Sequence, residues 1–188
     1  MRKSLAVAVA TLSVAGVGAL VPAAANAACD PSLGCTAATV TLTAAGVLSV
    51  AVPDGSTTPI SVASANTGAA TASGPLGTVT VTDSRGALTA SWNAFAVASN
   101  FTTGATPNAQ QTITAANVSY SAGVGTAAVG QVGAFLPTGP TAIGSSSKVG
   151  GWTGVGNDTV QWSPTLTFTL LPAQVAGTYS GTITHSVS

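Results

Sequence analysis

The feature that most constrains this chain is the alternation of threonine with apolar residues in several separate segments. "TVTVT" at 78–82 and "TLTFTLL" at 165–171 both carry an apolar side chain at every second position. A period of two gives a β-strand one buried face and one solvated face. Turn sequences such as "PDGS" at 53–56 separate these short segments. The sequence therefore predicts an all-β fold, an antiparallel β-sandwich of the immunoglobulin-like kind.

The first 27 residues have the layout of a secretory signal peptide. Arg2 and Lys3 precede an apolar run, and "AAANAA" supplies an A-x-A cleavage site after Ala27. A signal anchor, and a lipoprotein with Cys29 at its new N-terminus, are the alternatives. Cleavage leaves about 160 residues, the length of one domain. We therefore expect an exported protein from which residues 1–27 are removed.

Two cysteines follow the leader. Cys29 and Cys35 flank "DPSLG", and in an oxidising compartment a pair at this spacing favours a disulfide that closes a small loop. A metal site would need two further soft ligands, which the chain lacks. We expect a disulfide clip within an N-terminal segment, 28–36, followed by a single β-sandwich domain over 37–188.

Charge is nearly absent from the chain beyond the leader. Two cations, Arg85 and Lys148, stand there against four aspartates, and there is no glutamate. Two cations are too few for a phosphate-binding surface, which excludes nucleic acid as a partner. No second apolar run of membrane-spanning length follows the leader. Because few lysines protect the strand edges, self-association is also expected.

The chain offers little for catalysis. Its single histidine, His185, lies near the end of the sequence, and no nucleophile motif accompanies it. Turns explain the isolated aspartates better than calcium sites do, because tight calcium sites gather several oxygen ligands. We expect no enzyme activity, no metal and no cofactor.

Three residues are candidate ligand contacts: Trp92, Trp152 and His185. Exposed tryptophan rings stack on sugars, and core packing is the alternative. Trp152 lies in "KVGGWTGVG", within a Gly-, Ser- and Ala-rich stretch, 121–157, that predicts one or two weak strands and a long mobile loop. His185 alternates with apolar residues in "YSGTITHSVS", so a packed core histidine is its alternative. If His185 contacts a ligand, binding should weaken below about pH 6.

One acid and one base stand together in "VTVTDSRGALTASW". Asp83 and Arg85 lie two positions apart, so in an extended strand both side chains would point to the same face, and Gly86 follows them. An Asx-type turn is predicted here, joining a strand over 77–82 to a strand over 88–99. Asp83 should then cap backbone amides, and Arg85 should bond carbonyls or a carboxylate. A ligand-contacting Arg85 is the alternative.

This segment, together with "TVQWSPTLTFTLLPAQVAGTYSGTITHSVS", resembles the WxL-type surface domain of Gram-positive bacteria. Such domains carry a V-x-D-x-R-G segment followed by a tryptophan, here Trp92. They end in a strand of the form Y-x-A-x-L-x-W-x-L, here beginning at Tyr179. The likeness covers about 77–188 and is that of a divergent, actinobacterial-like member. Both signature motifs are altered, because W-N-A begins at Trp92 and His185 stands in place of the second tryptophan.

The resemblance implies an exported protein that has no covalent anchor and associates with peptidoglycan or another wall polymer. The expected partners are a cell-wall polymer or other surface proteins, and the expected location is the cell surface or cell wall. The three candidate contacts would bind the polymer. A second group would hold the fold: Asp83, Arg85, Gly86 and Tyr179. The alternative function is a structural subunit of a surface layer or filament without glycan binding.

Overall fold

The computed structural model describes residues 40–43, 46–53 and 61–188. The predicted signal peptide and the Cys29–Cys35 clip lie outside these residues. The chain divides into two units, Met1–Thr41 and Leu42–Ser188, and the fold below is that of the second. Its described part contains twelve strands and no α-helix. The strands are β1 (Leu48–Ala51), β2 (Thr71–Pro75), β3 (Val79–Ala98), β4 (Phe101–Thr102), β5 (Thr112–Ile113), β6 (Val118–Ser121), β7 (Gly125–Ala127), β8 (Val132–Pro137), β9 (Thr141–Ala142), β10 (Ser147–Trp162), β11 (Thr165–Thr169) and β12 (Ile183–Val187).

The larger sheet is built on two long strands, β3 and β10, which pair antiparallel along most of their length. β1 and β12 pair with the two halves of the free edge of β3. β7 and β8 pair in the same way with the opposite edge of β10. This six-stranded sheet therefore has two long central strands and two short strands at each edge.

The short strands on β3 bring the two ends of the domain together. β1 lies beside residues 80–83 of β3, and β12 lies beside residues 94–98, both antiparallel to β3. The amide of Gly46 donates to the carbonyl of Ser84 at 2.9 Å, and the amide of Ser188 donates to the carbonyl of Asn93 at 3.0 Å. Both ends of the domain therefore approach the middle of β3.

The second sheet has four antiparallel strands in the order β2-β11-β6-β9, and β4 and β5 form a separate two-stranded ribbon. The alternation in the sequence matches the burial. Val79 and Val81 on β3, and Leu166 on β11, are fully buried. Each such side chain contributes about 1.5–3 kcal/mol when it leaves water. The two sheets pack together through these side chains, so the structure is the predicted all-β antiparallel sandwich.

Asp83 makes the expected Asx-type bond to the amide of Arg85, but the expected connection between two separate strands is wrong, because β3 continues through residues 84–86. Eight residues of β3, 83–90, lie opposite only five residues of β10, 154–158, and the register shifts twice between them. Extra residues in one strand of a pair form β-bulges. Gly86 has a φ of 62°, in the left-handed region that favours glycine. The turn residues in the sequence thus produce a bulge within one strand rather than a connection between two.

The expected loop over 121–157 is also wrong, since β7, β8, β9 and most of β10 lie there. Glycine in this stretch provides flat backbone against which aromatic rings pack. A Cβ atom on Gly154 would lie 2.5 Å from the indole nitrogen of Trp152, and one on Gly133 would overlap the same ring. Other glycines lie in the same way against Phe135. Glycine occupies these strand positions because any larger side chain there would displace the rings.

Candidate functional site

A cleft of about 1000 Å³ opens in the sandwich. Its lining includes the buried side chains of Leu166 and Phe168 on β11. Phe101 on β4 packs edge-on against Phe168, with 5.0 Å between the ring centroids. Two segments without regular strand structure also line the cleft: 61–69, which precedes β2, and 174–182, which precedes β12.

The described lining of the cleft is uncharged. Among the described residues that line it, none is an aspartate, glutamate, lysine or arginine. The rim offers hydroxyl and amide groups instead, from Ser61, Ser64, Asn66, Thr67, Thr178 and Ser180. An apolar floor combined with a small number of polar groups is typical of ligand sites. The arrangement suits a neutral, hydroxyl-bearing ligand and offers no opposite charge to an ionic one.

His185 lines the cleft and belongs to a chain of three hydrogen-bonded side chains. The indole of Trp162 donates to the hydroxyl of Tyr120 at 2.9 Å, and that oxygen lies 3.2 Å from Nε2 of His185. An indole N–H can only donate, and Tyr120 is fully buried. Among the described residues, Nε2 is therefore the acceptor that remains for the Tyr120 hydrogen. The neutral imidazole then carries its own proton on Nδ1, a buried atom with no partner in the described part of the chain.

Burial governs the titration of this group. It lowers the pKa of His185 to about 4, because a charged imidazolium is disfavoured away from water. Burial likewise raises the pKa of Tyr120. His185 is thus a neutral hydrogen-bonding residue near pH 7. Because burial lowers this pKa, any effect of His185 protonation on ligand binding is expected at a lower pH than the value near 6 predicted from the sequence.

No known family, curated protein or solved structure matches this chain. The resemblance to the WxL-type domain therefore rests on the sequence segments quoted above, and the function has to be argued from the site.

Within residues 40–43, 46–53 and 61–188, no helix is both long enough and apolar enough to cross a bilayer. Over the same residues, no three metal-binding side chains are grouped together.

The two candidate tryptophans are not available to a ligand. Trp92 and Trp152 are each 2% exposed and lie opposite each other on β3 and β10. The Trp92 ring stacks on Trp162 with 6.3 Å between centroids, and its indole donates to Asp158 at 2.9 Å. The prediction that Trp92 and Trp152 contact a ligand is wrong, because both rings fill the space between the sheets.

Asp83 and Arg85 form a two-bond ion pair. Nε and Nη2 of Arg85 donate to the two carboxylate oxygens of Asp83 at 2.9 and 2.7 Å. The backbone amide of Arg85 donates to the same carboxylate at 2.9 Å, and Nη2 also donates to the carbonyl of Ser91 at 3.0 Å. The structure therefore contains the capped amide and the carboxylate and carbonyl contacts expected from the sequence. Because Ser91 lies beyond the bulge, the guanidinium ties the two ends of the bulge together.

Two buried aspartates lie opposite each other at this bulge. Asp83 and Asp158 are cross-strand partners, and each is 1% exposed. Burial alone would raise the pKa of Asp83, but the hydrogen bonds and charge of Arg85 outweigh it and hold that pKa below its ordinary value. Burial raises the pKa of Asp158, the hydrogen bond from Trp92 opposes the rise, and the charge of Asp83 adds to it. Asp158 is therefore the carboxyl of the pair that takes up a proton more readily.

Tyr179 has a structural position at the edge of the cleft. Its hydroxyl lies within hydrogen-bond distance of two carbonyl oxygens, those of Val175 at 2.8 Å and Gln110 at 3.0 Å. The strand predicted to begin at Tyr179 begins only at Ile183. Tyr179 thus anchors the segment that leads into β12 and is not part of that strand.

Sequence reasoning missed three residues of these sites: Phe101, Tyr120 and Asp158. Tyr120 alternates with Val118 in "VSYS", so the period-two pattern already marks it as inward. Asp158 lies two positions before the buried Val160 in "DTV", so alternation places both side chains on the same face, although composition assigns Asp158 to a turn. Phe101 lies in a strand of two residues, which is too short for any periodic pattern.

Proposed function

We propose that this protein is an exported, non-catalytic binding module that associates non-covalently with the bacterial cell wall and holds the wall glycan in its uncharged cleft. The observation that carries the proposal is the lining of that cleft. Hydroxyl and amide groups form its rim, apolar side chains form its floor, and no charged residue is found among the described lining residues. A sugar chain presents the complementary surfaces, with hydroxyl groups at its edges and C–H groups on the faces of its rings.

Two half-buried aromatic rings in the cleft can make the contact with sugar rings that the buried tryptophans cannot make. Phe101 and Tyr179 both line the cleft and both retain exposed surface. Each ring can pack against the C–H face of a sugar while the rim hydroxyls bond to its edges. The binding surface of this proposal is therefore the cleft together with His185, in place of the buried Trp92 and Trp152.

The charge distribution favours a neutral glycan over an anionic wall polymer. The described residues contain two cations, Arg85 and Lys148, and neither lines the cleft. Arg85 is already engaged by the carboxylate of Asp83. Binding a phosphate-rich polymer in the cleft would remove water from its charged groups, and no cation of the described lining would compensate for that loss. Export through the leader and a Cys29–Cys35 disulfide belong to the same proposal, which the resemblance to the WxL-type domain supports.

Co-sedimentation of the purified protein with washed Gram-positive cell walls tests this function. We expect the wild-type protein to sediment with the walls and to be released by soluble glycan fragments of peptidoglycan. A Ser64→Trp variant should lose this binding, because an indole at the rim would fill the cleft. Thr126→Trp is the matched control, since Thr126 is exposed on β7 and does not line the cleft.

The outcomes separate the alternatives. Wild-type protein that stays in the supernatant would refute wall association. Equal sedimentation of wild type and Ser64→Trp would show that another surface is responsible. Release by polyphosphate, but not by glycan fragments, would mean that an anionic polymer is bound instead.

A further inference from the structure

β8 is an edge strand whose outer side is unpaired among the described residues. It pairs on one side with β10, and five of its six residues are exposed. The sequence of the strand is VGAFLP, which contains no charged residue. Natural edge strands are usually protected from other chains by lysines, prolines or bulges. The only such feature here is Pro137 at its end.

The hydrogen-bonding directions along β8 follow from a single bond just beyond it. The amide of Thr138 donates to the carbonyl of Val149 on β10 at 3.2 Å. In an antiparallel pair, successive residues point their backbone groups alternately toward and away from the neighbouring strand. Residues 132, 134 and 136 therefore bond to β10, whereas Gly133, Phe135 and Pro137 direct their backbone groups to the open edge.

The two faces of β8 differ in the same alternation. Phe135 faces the core, where its ring lies 5.0 Å from that of Trp162. Val132, Ala134 and Leu136 point to the other face, where they are exposed, Val132 by 65% and Leu136 by 57%. The open edge is thus bordered by a row of uncovered apolar side chains.

We propose that β8 pairs with β8 of a second copy of this chain, antiparallel, with a two-fold axis at Ala134. In this register Gly133 of each copy faces Phe135 of the other, and both residues have an amide and a carbonyl on the open edge. Four backbone hydrogen bonds result. Val132 of each copy then lies opposite Leu136 of the other, so the exposed apolar side chains cover one another.

The neighbouring register is less favourable for a reason visible in the sequence. With the axis at Phe135, Gly133 would face Pro137, which has no amide hydrogen to donate. The register at Ala134 leaves Pro137 outside the four-bond ladder. Charge does little to oppose the pairing, because β8 is uncharged and the chain beyond the leader carries only two cations and four aspartates. A two-fold pairing of identical edges closes on itself, so it produces a dimer and not a filament.

The dimer would leave the cleft free. β8 lies on the β10 side of the larger sheet, whereas His185, which lines the cleft, belongs to β12 on the β3 side. Two clefts in one particle would raise the apparent affinity for a polymer with repeated sites. Dimer formation and glycan binding can therefore be tested separately.

Analytical ultracentrifugation of the purified protein over a wide concentration range tests the pairing, with Ala134→Lys and Ala134→Glu as variants. Directly opposed side chains on antiparallel strands lie about 4.5–5.5 Å apart at their Cβ atoms. Two lysines, or two glutamates, at the axis should therefore weaken the dimer about fivefold or more. A mixture of the two variants should restore it, because one lysine then faces one glutamate.

Val124→Lys, at a residue 88% exposed outside β8, should dimerise like the wild type. Circular dichroism should show unchanged folding for both Ala134 variants, since this side chain is exposed. A wild-type protein that stays monomeric at every concentration would overturn the proposal. So would variants at Ala134 that dimerise like the wild type, or a mixture that gives no more dimer than each variant alone.

Discussion

Replacing Arg85 with alanine is expected to lower the free energy of unfolding by about 2–3 kcal/mol. The substitution removes two bonds to the carboxylate of Asp83 and one to the carbonyl of Ser91. The side chain of Asp83 is fully buried, and that of Arg85 is 39% exposed. Removing one partner of a fully buried pair costs about 3–5 kcal/mol. Solvent at the exposed arginine screens part of this interaction, so we place the cost below that range.

Urea denaturation and thermal melting of the purified variants provide the measurement. A loss of about 2 kcal/mol corresponds to a melting temperature lower by roughly 4–8 °C for a domain of this size. The double variant Asp83→Asn/Arg85→Ala should be more stable than Arg85→Ala alone, because it leaves no uncompensated buried carboxylate. Lys148→Ala is the control for loss of a cation, and its effect should stay within about 0.5 kcal/mol.

The pH dependence gives an independent check with a defined sign. The bonds from Arg85 hold the folded pKa of Asp83 below its ordinary value. A lowered pKa stabilises the folded state above the unfolded pKa, and that stabilisation is lost as the pH falls through the folded value. The deficit of Arg85→Ala should therefore be largest near pH 7 and shrink as the solution is acidified below about pH 4. Equal stability of wild type and Arg85→Ala at pH 7, or a deficit that does not change with pH, would refute this reasoning.

Three further outcomes are expected. Asp158→Asn should match or exceed wild-type stability at pH 7, because burial raises the pKa of this carboxyl and its ionised form destabilises the fold at high pH. The urea midpoints of Asp158→Asn and wild type should converge at low pH, and a large loss of stability in the variant at pH 7 would contradict this reasoning. Gly154→Ala should lower stability by about 1–3 kcal/mol and alter tryptophan fluorescence, since its Cβ would meet the ring of Trp152, whereas Gly139→Ala has open space and should change neither. Nuclear magnetic resonance should show that the imidazole of His185 titrates near pH 4 and that its neutral form carries the proton on Nδ1. In the unfolded chain the imidazole becomes charged near pH 6.5, so wild-type stability should fall as the pH is lowered from about 6.5 to 4. The His185→Phe variant should lack this fall.

The sequence predicted the fold class because one physical rule operates throughout it. Threonine and apolar residues alternate at 78–82 and 165–171, and the apolar ones are those that the sheets bury. The contact of Asp83 with Arg85 was also within reach, because both partners lie in one short segment. Local spacing is sufficient for such contacts.

The parts that sequence reasoning missed depend on contacts between distant residues. A glycine at 154 fits a loop and a strand equally well when only its neighbours in the sequence are considered. What distinguishes the two is the backbone carbonyl of Val132 on β8, which a Cβ atom at this position would overlap. Trp92 and Asp158 are 66 positions apart, so neither segment alone indicates that the tryptophan is buried. The cleft is lined by 61–69 and 174–182, which have no periodic pattern and meet only through the fold of the strands between them.

The arrangement of β12 and β1 on β3 has a consequence for how this domain can be connected. β12 runs toward the middle of β3 and stops beside residue 94, and β1 begins beside residue 83 and continues in the same direction. The two strands follow one line along a single edge, broken only at the bulge. A short linker from Ser188 to Gly46 would join them, and new termini could be opened in an exposed turn such as the one near Gly139. The domain is thus suited to circular permutation, and equally to insertion as a unit into a loop of another protein.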